Sequence, residues 1–172
     1  GRIFSKIEQF TDGTLVFGTN RKKLQFIRPD GSSYSFATKK MVHGGLTIIN
    51  DERIVFGGHD KQIFVVDKKG KLKQNIPTRN WVVHSKPALL QNGKIAVGSY
   101  DRSLYIFDET TNEAFQIKTG GKIHGSPIQL TDGTIVFGSM DKNIYLADRK
   151  GNVKKKIKTV IIHYFLYRKL RS

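Results

Sequence analysis

Apolar residues fall into short runs rather than helical stripes. TLVFG, RIVFG, KIAVG and TIVFG are almost continuously apolar up to a glycine. After each comes a polar turn and then a second run: KLQFIR, QIFVVD, SLYIFD or NIYLAD. A further kind of run, KLKQNIPT and NVKKKIKT, alternates lysine with apolar or small residues. Short runs bounded by Gly, Asp and Asn predict strands. A run apolar on both faces predicts a strand covered on both faces. A lysine-rich alternating run predicts an outer edge, where charge discourages further pairing.

The runs repeat. Gly18, Gly57, Gly98 and Gly138 recur every 39 to 41 residues, and Ile-Gln-Leu-Thr-Asp-Gly (128–133) matches Glu-Gln-Phe-Thr-Asp-Gly (8–13). Asp12-Gly13, Asn92-Gly93 and Asp132-Gly133 mark one hairpin turn, because these residues tolerate positive φ. Asp30-Gly31, Lys69-Gly70 and Lys150-Gly151 mark another. Each period therefore holds four strands, and a four-stranded unit of roughly 40 residues predicts an all-β β-propeller of antiparallel blades. The blades are expected at about 3–38, 42–78, 83–119 and 123–159, with the first strand innermost and the fourth outermost. Residues 160–172 read as a divergent tail resembling an aborted fifth inner strand, with Ile162-His163 where Ile123-His124 would recur. Four blades and an orphan beginning predict half of a larger or dimeric ring.

The recurring cores GGHDKQIFVVD, GSYDRSLYIFD and GSMDKNIYLAD, with Ser126-Pro127 opening the next inner strand, resemble the PQQ-like (quinoprotein-type, BamB-like) β-propeller repeat family. The resemblance covers residues 3–159. It implies a ring that usually has eight blades, and among its members are quinone-dependent dehydrogenases, an outer-membrane assembly factor and sensor domains. The tryptophan that docks blades in that family is missing from all four units, and Trp81 lies in a linker instead. Unit one carries Arg21 and Arg28 where the others carry aspartate. WD-repeat propellers are the second match, weakened by the absence of the Trp-Asp dipeptide.

Asp60, Asp101 and Asp141, and likewise Asp67, Asp108 and Asp148, stand at one position per unit, which marks turn architecture rather than a site. His43, His84, His124 and His163 precede successive inner strands and are candidates for binding at the channel mouth. The alternative, favoured by their copying in every unit, is that each imidazole bonds within its own blade. One histidine per blade is expected to leave the rings far apart in a wide ring, too far to share a zinc ion.

The sequence holds 30 Lys and Arg against 14 Asp and Glu, a net charge of +16. Such a charge favours anionic partners without speaking to fold. Lys68, Lys69, Lys71, Lys73, Lys154, Lys155, Lys156 and Lys158 are the candidate anionic-partner surface; the plainer reading is a solvated edge. Nucleic-acid binding by these strands would be non-specific, since they carry Ile, Leu and Val rather than stacking aromatics.

With no cysteine, disulfides, thiolate metal sites and cysteine nucleophiles are excluded. No nucleophile elbow, phosphate loop or HExxH is present, and no quinone-ligand set, so neither a cofactor nor a metal is expected. No apolar run approaches the ~18 residues of a membrane span. The sequence opens without an initiator Met or signal-peptide pattern, so a processed, trimmed or partial chain is expected. The reading is a non-catalytic repeat scaffold for protein interaction or ligand sensing, with further blades, a second copy closing the ring, or another protein as partner. Two rivals stand: a fragment of a quinone-dependent oxidoreductase, and a binder of nucleic acid or anionic surfaces through the basic edge. The residues leave the compartment open, and only the resemblance points to a bacterial cell envelope or periplasm.

Overall fold

The computed structural model describes residues 1–159 other than residue 112. Among them are sixteen strands and no helix, arranged as four separate antiparallel sheets of four strands. Each sheet is made of consecutive strands in chain order. Sheet one holds β1 (Glu8–Gln9), β2 (Leu15–Thr19), β3 (Lys23–Ile27) and β4 (Ser33–Ala37). Sheet two holds β5 (Leu46–Ile49), β6 (Arg53–Gly57), β7 (Gln62–Asp67) and β8 (Leu72–Pro77). Sheet three holds β9 (Ala88–Leu89), β10 (Ile95–Gly98), β11 (Ser103–Phe107) and β12 (Ala114–Lys118). Sheet four holds β13 (Ile128–Gln129), β14 (Ile135–Ser139), β15 (Asn143–Ala147) and β16 (Val153–Lys158). The all-β expectation and its four-stranded unit are thus met.

Alternation along each strand explains the stacking. Ile54 and Phe56 of β6 pack with Val16, Leu24 and Phe26 of sheet one. Val55, between them, packs with Val97 and Tyr105 of sheet three. A third cluster joins Leu104 and Ile106 of sheet three to Ile135, Phe137 and Tyr145 of sheet four. Sheets two and three are therefore apolar on both faces, which accounts for their continuous hydrophobic runs. Among the described residues no core cluster joins sheet four to sheet one, and no ring closes. The first strands of neighbouring sheets meet, β1 with β5 and β5 with β9. The fourth strands lie on the far edge, and every residue of β16 is exposed.

The hairpins differ in detail from expectation. Gly13, Gly93 and Gly133 alone take positive φ in their first turns, whereas Asn50 and Asp51 both do so in sheet two. Sheet two lacks the turn glycine and compensates with two residues that tolerate the left-handed region.

The connectors tie the sheets together. Val42, Val82 and Ile123 each enter the space left by the glycine that closes or nearly closes the preceding second strand. A Cβ on Gly18 would lie 2.5 Å from Val42 Cγ1, and one on Gly57 would lie 2.6 Å from the Val82 carbonyl oxygen. Only glycine leaves room for the approach. The Val42, Val82 and Ile123 N–H groups also donate to Thr19, Gly58 and Ser99 carbonyls at 3.0–3.1 Å.

Turn aspartates complete the junction. The Lys39 N–H donates to Asp60 at 2.8 Å, the Arg79 N–H to Asp101 at 2.9 Å and the Gly120 N–H to Asp141 at 2.8 Å. Each carboxylate thus holds the chain arriving from the preceding sheet. Asp67, Asp108 and Asp148 accept N–H groups of their own turns. The architectural role expected of both sets is what the geometry shows.

Candidate functional site

Strand direction sorts the loops onto two ends. The second-to-third-strand turns and the inter-sheet connectors lie at one end, joined by bonds such as Thr38 N–H to the Lys22 carbonyl and Thr119 N–H to the Arg102 carbonyl. The remaining turns lie at the other. The candidate histidines belong to the connectors.

The structure brings three of the four together. His43 and His84 rings meet edge to face at 4.7 Å, and His84 stacks on His124 at 4.3 Å. Phe4 of unit one extends the row, 4.9 Å from His43. His163 lies outside the described residues. The rings are therefore in contact rather than far apart, because neighbouring connectors converge where the first strands meet. No hydrogen bond to a histidine side chain occurs among the described residues, so the favoured intra-blade bonding is not what positions them. The connector before sheet three carries one extra residue, Val83, between Val82 and its histidine, where Val42 and Ile123 adjoin theirs directly, and His84 takes φ 66°.

A second row flanks the first. His59 stacks parallel to His43 at 5.8 Å and contacts Trp81 at 4.5 Å. Tyr100 lies 5.9 Å from His124, with Lys122 Nζ 5.1 Å above its ring. Asn20, His59, Tyr100 and Met140 occupy one repeat position, two residues beyond the socket glycine. Aligning that column would have exposed the second row from sequence alone. Trp81 is 42% exposed, and His84 and His124 are exposed too.

Below the first row, Phe4, Glu8, His43, Leu46, His84 and Lys86 line a cleft of about 380 Å³. Lys86 Nζ crosses it to Glu8 at 2.8 Å, linking unit three to unit one. Burial holds the His43, His59 and His84 imidazoles below the ordinary value, and repulsion from neighbouring imidazoles lowers them further. Among the described residues no group of three or more His, Asp or Glu is arranged to hold a metal ion. No helix there is long and apolar enough to cross a membrane.

Charge is segregated between the ends. Every acidic residue except Glu8, Asp60, Asp101 and Asp141 lies in or beside the turns of the far end. There five cations are paired, Lys68 with Glu52 at 3.3 Å, Lys73 with Asp67 at 3.2 Å, Lys154 with Asp148 at 3.1 Å, Lys94 with Glu113 at 3.3 Å and Arg53 with Glu109 at 2.8 Å, whereas Arg28, Lys69, Lys71, Arg149 and Lys150 form no ion pair among the described residues. At the connector end Arg21, Lys22, Lys39, Lys40, Lys61, Arg79, Arg102, Lys118, Lys122 and Lys142 are exposed, and none forms an ion pair among the described residues. Asp60, Asp101 and Asp141, the acids nearest them, are occupied by backbone.

The eight candidate lysines do not form one surface. Lys68, Lys73 and Lys154 are paired as above. Lys69 and Lys71 sit in the exposed β7–β8 turn, Lys155 and Lys156 run along β16, and Lys158 reaches the connector end. Lys156 Nζ stands 5.1 Å above the Tyr145 ring.

No family model matches the chain, and no curated protein matches its sequence.

Proposed function

We propose that the chain is a run of PQQ-like propeller units acting as a non-catalytic binding scaffold. A second copy supplies the units that continue the ring. The observation that carries this reading is the junction made three times, with no described residue at the fourth, whose counterpart in register, Ile162, lies outside the described residues. Val42, Val82 and Ile123 fill the sockets at Gly18, Gly57 and Gly98, whereas among the described residues nothing lies within 4 Å of a Cβ built on Gly138. Around Gly138 the face of sheet four is apolar, with Met140 64% exposed and Ile144 half-buried. Repeat arrays leave such faces for a further unit.

At the other terminus Ile3 stands in the register of Val42 and Ile123 and is 48% exposed. Its insertion at Gly138 of a second copy reproduces two of the three ties of an internal junction. The third is missing because Arg21 replaces the turn aspartate. The scaffold reading, rather than an oxidoreductase, is supported by the use already made of the charged groups: Asp60, Asp101 and Asp141 accept backbone N–H groups at the junctions, and Glu8 pairs with Lys86 to tie unit three to unit one.

Size-exclusion chromatography with light scattering tests the proposal. A particle heavier than the 19.5 kDa chain, dissociating on dilution, is the expected result. A monomer at all concentrations with one sharp melting transition would overturn the ring proposal and favour closure by the four units alone.

A further inference from the structure

A rim of cations at the connector end surrounds the aromatic rows. Cations without carboxylate partners attract a polyanion. Flat rings, exposed at Trp81, His84 and His124 and half-buried at His43 and His59, add something that charge alone does not need, namely faces on which bases stack. Trp81, His59, His43, His84 and His124 form a continuous chain of touching rings, each step between 4.3 and 5.8 Å. Lys61 follows the second row in its turn, and Lys122 lies over Tyr100. The far end also carries cations, but Lys68, Lys73, Lys94, Lys154 and Arg53 there are paired with carboxylates, and no such ring array occurs there among the described residues.

We propose that the connector end binds single-stranded nucleic acid, stacking bases on the Trp81–His59–His43–His84–His124 array while the surrounding lysines and arginines meet the phosphates. The candidate lysines of the outer strands are not the surface that does this. Left-handed φ at Lys22, Lys61, Arg102 and Lys142, between 57° and 69°, places a cation at one equivalent turn position in every unit. Glycine suits that conformation better, so four long cations there carry a local strain that binding to phosphate rationalises.

Binding of this kind does not require ring closure, so the chain itself serves for the test. Labelled oligothymidylate is the probe, read by fluorescence anisotropy, with an abasic strand of equal length as the charge-only control. Stacking is worth ~1–3 kcal/mol per base, so Trp81→Ala should weaken binding by roughly 5- to 150-fold, and Trp81→Phe should restore most of it. Lys61→Gln with Lys122→Gln should lower the salt slope by roughly 0.7 for each phosphate that is no longer neutralised. Lys69→Gln with Lys150→Gln, at the far end, should leave it unchanged. Quenching of Trp81, the sole tryptophan, gives a direct readout in the unmodified chain. Equal affinity for the abasic strand, an indifferent Trp81→Ala, or an equal effect of the far-end pair would overturn the proposal.

Discussion

Replacing the four socket glycines one at a time by alanine separates the three junctions filled among the described residues from the one at Gly138. None of Gly18, Gly57, Gly98 and Gly138 has positive φ, so the backbone accepts alanine at each. Alanine in a strand interior is otherwise favoured over glycine by roughly 0.5–1 kcal/mol through the entropy of the unfolded chain. Against this stands the space. The added methyl would lie 2.7 Å from the Val42 carbonyl oxygen at Gly18, and 2.6 Å from that of Val82 at Gly57. At Gly98 it would overlap Ile123 Cγ2 and sit 3.1 Å from Ser85 Oγ. Backbone neighbours cannot rotate away, so overpacking costs about 1–3 kcal/mol. Gly18→Ala and Gly57→Ala should destabilise the most, and Gly98→Ala somewhat less, because Ile123 can change rotamer. Gly138→Ala should cost nothing in dilute chain and should instead weaken association. Urea melts at two protein concentrations measure both effects. Equal destabilisation by Gly138→Ala at every concentration, or a harmless Gly57→Ala, would refute the socket argument.

Asp101→Ala removes the acceptor of the Arg79 N–H, the Ser103 N–H and the Tyr105 hydroxyl, and should lower stability by about 1–3 kcal/mol in thermal melts; an unchanged Tm would mean that the carboxylate is not a junction tie. Lys142→Gly relieves a residue at φ 68° and should raise stability by roughly 0.5–1 kcal/mol, a fall being the contrary result. His43, His59 and His84 titrate below 6.5 in the folded chain, with Asp60 opposing the shift at His59 and the other imidazoles adding to it. The unfolded chain then binds more protons just below pH 6.5, so their contribution is full above that value and is lost as pH falls. Melting temperatures should drop on acidification from about pH 7.5 to about pH 5, less steeply in His84→Gln; a rise would contradict the clustering of these imidazoles. Titration with pyrroloquinoline quinone and Ca²⁺ should leave Trp81 fluorescence unchanged, and saturable quenching would favour the oxidoreductase reading.

Period and pattern carried the fold far because each unit repeats the same solution. The apolar runs ending at Gly57 and Gly98 announce strands covered on both faces, and the lysine alternation of β16 announces an edge. What the residues do not display is distance between connectors. Spacing along the chain put His43, His84 and His124 one per unit, but only the convergence of the first strands decides that their rings touch. The run of charge misleads for a related reason. Lys154, Lys155 and Lys156 are conspicuous as neighbours in sequence, yet they lie along an outer strand whose adjacent turn supplies Asp148. The isolated cations Lys22, Lys61, Arg102 and Lys142 look ordinary in sequence, and strand direction gathers them at one end. Trp81 reads as a misplaced docking residue; its packing against His59 gives it a place in the array.

The chain contains no cysteine, so paired cysteine substitutions report single proximities without background. A Cβ on Gly98 would lie 3.1 Å from Ile123 Cβ, a small adjustment away from the ~3.5–4.5 Å of a disulfide. Gly98→Cys with Ile123→Cys should therefore close within one chain and serves as control. Ile3→Cys with Gly138→Cys tests the ring itself. A bond between chains, yielding a covalent two-chain species under mild oxidation, is the result expected if a second copy fills the fourth socket. A bond within a single chain, or none where the control pair forms, would contradict it.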